Sequence, residues 1–124
     1  MAYETSGGEV LAVKAGADLS AAQYKAVKFD VNGNIVLAGA GEDALGILQD
    51  DPANGQVGTV KVYGVSKAIA GAAVARGAQV TPDAQGRVVA AAMGNTVIGK
   101  TLAAATGANE VIPVLVINGG TVHA

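Results

Sequence analysis

No cysteine occurs in this chain, so disulfides and thiolate chemistry are excluded, and the composition fits synthesis in a reducing cytoplasm. Tryptophan is absent too, and aromatics make up only 3% of the residues, as Tyr3, Tyr24, Phe29 and Tyr63. A deep aromatic-lined ligand pocket is therefore not expected. Eight basic against ten acidic residues give a net charge of −2, with no run of either sign. Without a basic stripe or stacking aromatics, nucleic-acid binding is not expected, nor is binding to anionic lipid. Long apolar runs are missing as well. The longest uncharged stretches, residues 88–99 and 111–122, hold 12 residues each, whereas a membrane span needs about 20. Residues 1–9 include Glu4 and no apolar segment, so they do not read as a secretory signal.

What is abundant is small and apolar. The chain is 51% hydrophobic, largely Ala and Val, and has 18 glycines among 124 residues. That length suits one domain, able to bury roughly two thirds of its unfolded surface without metals or disulfides. Thin strands and tight turns are expected.

The clearest local signal is Asn32-Gly33 between two β-prone runs, which predicts a hairpin over residues 28–37 with a two-residue type I′ turn. Alternation puts Val27, Phe29 and Val31 on one face, toward a core, and Lys28 and Asp30 on the other. The same unit recurs 53 residues later. Asp30, Gly33, Val36, Ala38, Gly41 and Gly46 match Asp83, Gly86, Val89, Ala91, Gly94 and Gly99, and Ala15-Gly16-Ala17 matches Ala70-Gly71-Ala72 after a shift of two. Further strands are expected over residues 9–14, 45–49, 59–65, 97–102 and 111–117. The fold class is all-β: a small barrel or sandwich of two related lobes, duplicated over about residues 26–62 and 79–116 of a single domain, 9–124. Ser20 and Gln23 have capping-box spacing, but so few periodic apolar residues follow that a turn is favoured over a helix.

One string looks catalytic: Gly94-Asn95-Thr96-Val97-Ile98-Gly99-Lys100-Thr101 formally matches a phosphate-binding loop. Such a loop needs a helix after it, its N-terminus facing the phosphates. Here Val97-Ile98 reads as strand, and the repeat replaces Lys100-Thr101 by Ile47-Leu48 in the first lobe. Turn and strand glycines explain the match better. Glu42, Asp43, Asp50, Asp51 and Asn54 fit no calcium-loop spacing and read as solvated turns. His123 lies one residue from the end, a poor place for a catalytic base, and no histidine partners Ser6, Ser20 or Ser66. No catalytic residue, cofactor or metal site is expected.

Across residues 5–117 the order of motifs resembles the head decoration (capsid cement) proteins of tailed bacteriophages. The likeness runs through Ala15-Gly16-Ala17-Asp18-Leu19, Asp30-Val31-Asn32-Gly33, Ala44-Leu45-Gly46-Ile47-Leu48, Gly64-Val65-Ser66-Lys67-Ala68, Asp83-Ala84-Gln85-Gly86 and Val97-Ile98-Gly99-Lys100. The resemblance implies a barrel-like fold of the β-tulip kind and homotrimers or related clusters on the outer capsid surface. It also implies synthesis in a host bacterium and a role in bracing joints between major capsid protein subunits. It carries no catalytic residues. Residues 1–8 are the candidate capsid-contacting flexible arm, offering Ala2, Tyr3, Glu4, Thr5, Ser6, Gly7 and Gly8 after Met1, with the paired glycines as hinge. An ordinary chain end is the plain alternative. The competing function is a sugar- or ligand-binding β-module of a phage fibre or surface protein. That would require exposed aromatic platforms, and Phe29 reads as core.

Overall fold

The computed structural model describes residues 8–121, and of residues 118–121 only the backbone. Nine strands form: β1 (Glu9–Lys14), β2 (Ala26–Phe29), β3 (Ile35–Leu37), β4 (Gly46–Leu48), β5 (Val57–Ile69), β6 (Gln79–Pro82), β7 (Val88–Ala90), β8 (Thr96–Thr101) and β9 (Val111–Thr121). There is no helix among the described residues; the Ser20–Gln23 segment is a pair of turns, with Ala22 N–H donating to the Leu19 carbonyl. All pairings between strands are antiparallel, in the order β3-β2-β4-β5-β9-β8-β6-β7, with β1 on β5.

That order is a palindrome, and β5 explains it. Its first half, residues 57–63, pairs with β1 and β4, while its second half, residues 64–69, pairs with β9. The first half closes one lobe and the second opens the next. Each lobe is a five-stranded sheet in the same order, the first being β1, β5, β4, β2, β3 and the second β5, β9, β8, β6, β7. Lys14 opposite Val57 becomes Ile69 opposite Val111, and Val27 opposite Gly46 becomes Val80 opposite Gly99. The structural repeat thus reaches past the segments whose sequences repeat.

The details repeated in both lobes have mechanical causes. In the first hairpin Asp30 Oδ1 accepts from Asn32 N–H (2.8 Å) and Asn34 N–H (3.0 Å); in the second, Asp83 Oδ1 accepts from Gln85 and Arg87 N–H, both at 2.9 Å. Gly33 (φ 77°) and Gly86 (φ 76°) then adopt the left-handed conformation that only glycine takes without strain. Five residues separate Phe29 from its partner Ile35, so the turn is not the two-residue type expected from Asn32-Gly33. The Asp30 carboxylate favours the longer loop because it satisfies two loop N–H groups at once. Gly46 and Gly99 sit where a Cβ would collide with the carbonyl oxygens of Lys61 and Leu115, so both are set by close strand approach.

Two buried clusters fill the lobes. Ala15, Leu19, Val27, Ile35, Leu48 and Val60 form one, and Ala70, Val74, Val80, Val88 and Val114 anchor the other. Ala26, Ala38, Ala44 and Ile47 of the first lobe join the second cluster and weld the lobes together. The ends of the curled sheet meet through single main-chain bonds: Ala26 N–H to the Gly86 carbonyl (2.7 Å), Gly41 N–H to Pro82 (2.9 Å) and Thr96 N–H to Gly41 (3.2 Å). This closure is lopsided. Gly86 packs against Leu37 and the Ala26 carbonyl, whereas nothing approaches the Cβ position of Gly33. The first hairpin therefore projects, and the expectation that Phe29 and Val31 face a core is wrong: they are 50% and 100% exposed. Their alternation with Val27 is real, but the sheet under them ends.

Candidate docking surface

Along β5 the even-numbered residues Gly58, Val60, Ser66 and Ala68 point inward and are buried, which turns the odd-numbered ones outward. Val57 and Tyr63 on that face are 64% and 57% exposed. Cross-strand neighbours extend it: Val10, paired with Lys61, is half-exposed, and Val111 and Ile117 of β9 are about as open. The result is a mixed ribbon, these apolar side chains alternating with Glu9, Lys14, Lys61 and Lys67, that follows a strand of roughly 40 Å at about 3.3 Å per residue. Its one buried cation, Lys61, lies flat with Nζ donating to the Val65 carbonyl at 3.0 Å.

Gly8, just before β1, lies against the main chain of β5. Gly8 (φ 99°) lies where a Cβ would be 2.6 Å from the Tyr63 carbonyl oxygen, so a glycine is needed to bring the backbone this close to β5. Of the proposed arm, Ala2, Tyr3, Glu4, Thr5, Ser6 and Gly7 lie outside the described residues, as does His123. The exposed ribbon itself was not legible in the sequence, because alternation marks two faces without saying which one a second layer covers.

A second feature is a shallow hollow of about 350 Å³ beside the projecting hairpin, lined by Lys28, Phe29, Asp43, Ala44 and Leu45. At its rim Lys28 Nζ donates to both carboxylate oxygens of Glu42, at 2.8 and 2.9 Å, and Gly39 N–H donates to the same carboxylate at 2.6 Å. The Lys28 bond, helped by Gly39, holds the Glu42 carboxyl below its ordinary pKa. The remaining acidic turn residues do not converge: no metal-binding cluster exists among the described residues. Asp50 accepts from Thr59 N–H instead, at 3.0 Å.

The phosphate-loop string is a strand. Residues 96–101 are β8, paired with β6 on one side and β9 on the other. Thr101 is buried, its Oγ1 donating to the Ala75 carbonyl (2.6 Å) and accepting from Ala78 N–H (3.1 Å), while Lys100 points to solvent. Gly94 is a turn residue at φ 88° and Gly99 a close-packing one. A backbone already committed to two neighbouring strands has no row of N–H groups left to wrap phosphates.

The described residues thus form a two-lobed all-β module whose outer face exposes several large apolar side chains. The chain belongs to the phage cement protein family, whose model matches residues 7–116. Among solved structures, the head fiber gp8.5 N base of bacteriophage phi29 is similar over 93% of this chain and 98% of that one, with a TM-score of 0.71 at 17% identity. At that identity the likeness concerns the fold. No curated protein matches the sequence.

Proposed function

We propose that this chain decorates the outer surface of a phage head and braces joints between major capsid protein subunits, acting as a structural protein and not as an enzyme. Cement-family membership over residues 7–116 carries the reading; it gives the capsid as binding partner and the virion as location. The outer face of β5 and its neighbours, where Val10, Val57, Tyr63, Val111 and Ile117 are exposed among charged residues, is the docking face, since several large apolar side chains open on one face suit an interaction surface. Residues 1–8, joined to the sheet through Gly8 beside Tyr63, act as an arm that adds main-chain contacts to a neighbouring subunit. Copies arranged as trimers gain avidity, so each contact can be modest. Mixing the purified protein with undecorated capsids tests this: stoichiometric, saturable binding supports the reading, and none refutes it.

A second reading has one observation in its favour. Phe29 is half-exposed over a hollow that also presents Asp43, an arrangement suited to stacking a sugar ring and accepting its hydroxyl hydrogens. Chemical-shift changes at Phe29 and Asp43 on titration with simple pyranosides would support it.

A further inference from the structure

The seam between the lobes joins unlike surfaces. From the first lobe, Ala26 N–H donates to the Gly86 carbonyl (2.7 Å), and the turn over residues 39–42 puts Gly41 into a slot of the second lobe. There Gly41 N–H donates to the Pro82 carbonyl (2.9 Å) and the Gly41 carbonyl accepts from Thr96 N–H (3.2 Å). The 53-residue repeat gives each of these groups a counterpart: Ala26 and Gly41 correspond to Gln79 and Gly94, and Pro82, Gly86 and Thr96 to Phe29, Gly33 and Asp43. None of the three bonds recurs between these counterparts among the described residues, and nothing lies within 4 Å of the Cβ position of Gly33 or Gly94. A joint between unlike surfaces, made once between two repeats, leaves one copy of each surface open.

The open slot and the open turn keep the form of the pair that meets. Phe29 and Asp43 line the hollow of about 350 Å³ beside the first hairpin, at the positions where Pro82 and Thr96 hold Gly41 in the second lobe. In the turn that fills the second-lobe slot, Gly39 N–H donates to the Glu42 carboxylate (2.6 Å), Glu42 N–H donates to the Gly39 carbonyl (3.2 Å), and Gly41 has φ 69°. In its counterpart, Ala92 N–H donates to Asn95 Oδ1 (2.8 Å), Asn95 N–H donates to the Ala92 carbonyl (3.0 Å), and Gly94 has φ 88°. This second turn is braced in the same way, yet it packs on nothing at Gly94, and Met93 at its tip is 69% exposed. An apolar tip already held by its own hydrogen bonds loses little conformational freedom on docking.

We infer that the hollow beside Phe29 takes the turn over residues 92–95 of a second copy of this chain, with Gly94 N–H donating to the Phe29 carbonyl and Asp43 N–H donating to the Gly94 carbonyl. The inference rests on the reading of clustered copies above and names the faces that meet. A second copy is the occupant because the matching slot of the second lobe is filled by a turn of the same build from this same chain. Slot and turn sit on different lobes, so a copy that receives a turn still has its own to offer the next. Repeated contacts of that kind close into a ring when the rotation between copies allows it.

The chain has no cysteine, so an engineered disulfide reports the contact. Asp43→Cys and Met93→Cys in one chain should give covalent species larger than a dimer on mild oxidation, in solution or on undecorated capsids, whereas either single variant stops at the dimer. Moving the first cysteine to Ala53, on the exposed loop that bonds Leu19, should abolish the larger species. Separately, Met93→Asp sets a carboxylate against Asp43; it should weaken self-association in sedimentation about tenfold or more and leave the melting temperature unchanged, because Met93 is exposed. If no species beyond the dimer forms with or without capsids, or if the Ala53→Cys pair forms it equally, the inference is overturned, and capsid binding by the wild type still upholds the cement reading. Linkage without any capsid binding would keep the contact and refute the cement reading. If Met93→Asp abolishes capsid attachment while copies never link, the occupant of the hollow is a capsid segment and the inference is overturned.

Discussion

Replacing Gly33 and Gly86 separately by alanine tests whether the two lobes are joined as described. Both glycines have almost the same φ, 77° and 76°, and the same Asp-x-x-Gly turn, so both substitutions carry the same left-handed penalty of roughly 1 to 2 kcal/mol. Their surroundings differ. An added Cβ meets nothing at Gly33, but at Gly86 it comes within 2.7 Å of Leu37 Cδ1 and 3.0 Å of the Ala26 carbonyl oxygen. The Leu37 methyl can shift, whereas the carbonyl belongs to a fully buried residue whose own N–H bonds to Gly86. Overpacking of this kind costs roughly 1 to 3 kcal/mol, and weakening the bond adds about 0.5 to 1.5. Gly33→Ala should therefore cost about 1 to 2 kcal/mol and Gly86→Ala about 2.5 to 6.5. At about 4 °C per kcal/mol for a domain of this size, calorimetric melting temperatures should fall by about 4 to 8 °C and about 10 to 26 °C. Leu37→Ala combined with Gly86→Ala should recover part of the loss, a coupling absent with Gly33→Ala. Equal shifts for the two glycine variants would show that the second hairpin does not lock onto the first lobe.

Gly46→Ala and Gly99→Ala should each cost about 3 kcal/mol or more in urea unfolding, because the new methyl collides with a neighbouring strand's carbonyl and no flexible side chain can yield. Thr101→Val should lower stability by roughly 1 to 3 kcal/mol through two lost buried hydrogen bonds, while exposed Lys100→Ala leaves it unchanged and calorimetry finds no micromolar ATP or GTP binding with magnesium. Glu42, held below its ordinary pKa by Lys28 and Gly39, contributes stability that is present above its unfolded-state pKa and is lost as pH falls through its folded one. Glu42→Gln should consequently flatten the acid limb of the stability curve and leave its neutral region almost level. A variant starting at Glu9 should melt close to full-length protein and occupy capsids less readily, as expected if the arm serves attachment and not folding.

How much of this was legible before the fold was known depends on whether a property is local. The strands at residues 9–14 and 111–117, and the paired Asp-x-x-Gly turns, follow from alternation and from carboxylate and glycine chemistry, and they stand in the structure. The phosphate-loop string could be dismissed because its first-lobe counterpart lacks lysine, and β8 shows why both glycines are there. Phe29 and Val31 were misjudged because alternation assigns a face but not what covers it. The dual role of β5 was hidden for a related reason: only residues 59–65 read as strand, yet its two ends belong to different lobes whose opening strands, Glu9–Lys14 and residues 64–69, share little sequence.

The account rests on attachment to a capsid. Purified protein should be titrated onto undecorated capsids of the parent phage, with bound copies counted and capsid disruption temperature followed. Saturation at a fixed number of copies per capsid, with disruption moving to higher temperature as sites fill, is the predicted result. Absence of binding, or binding that never saturates and leaves capsid stability unchanged, would contradict it.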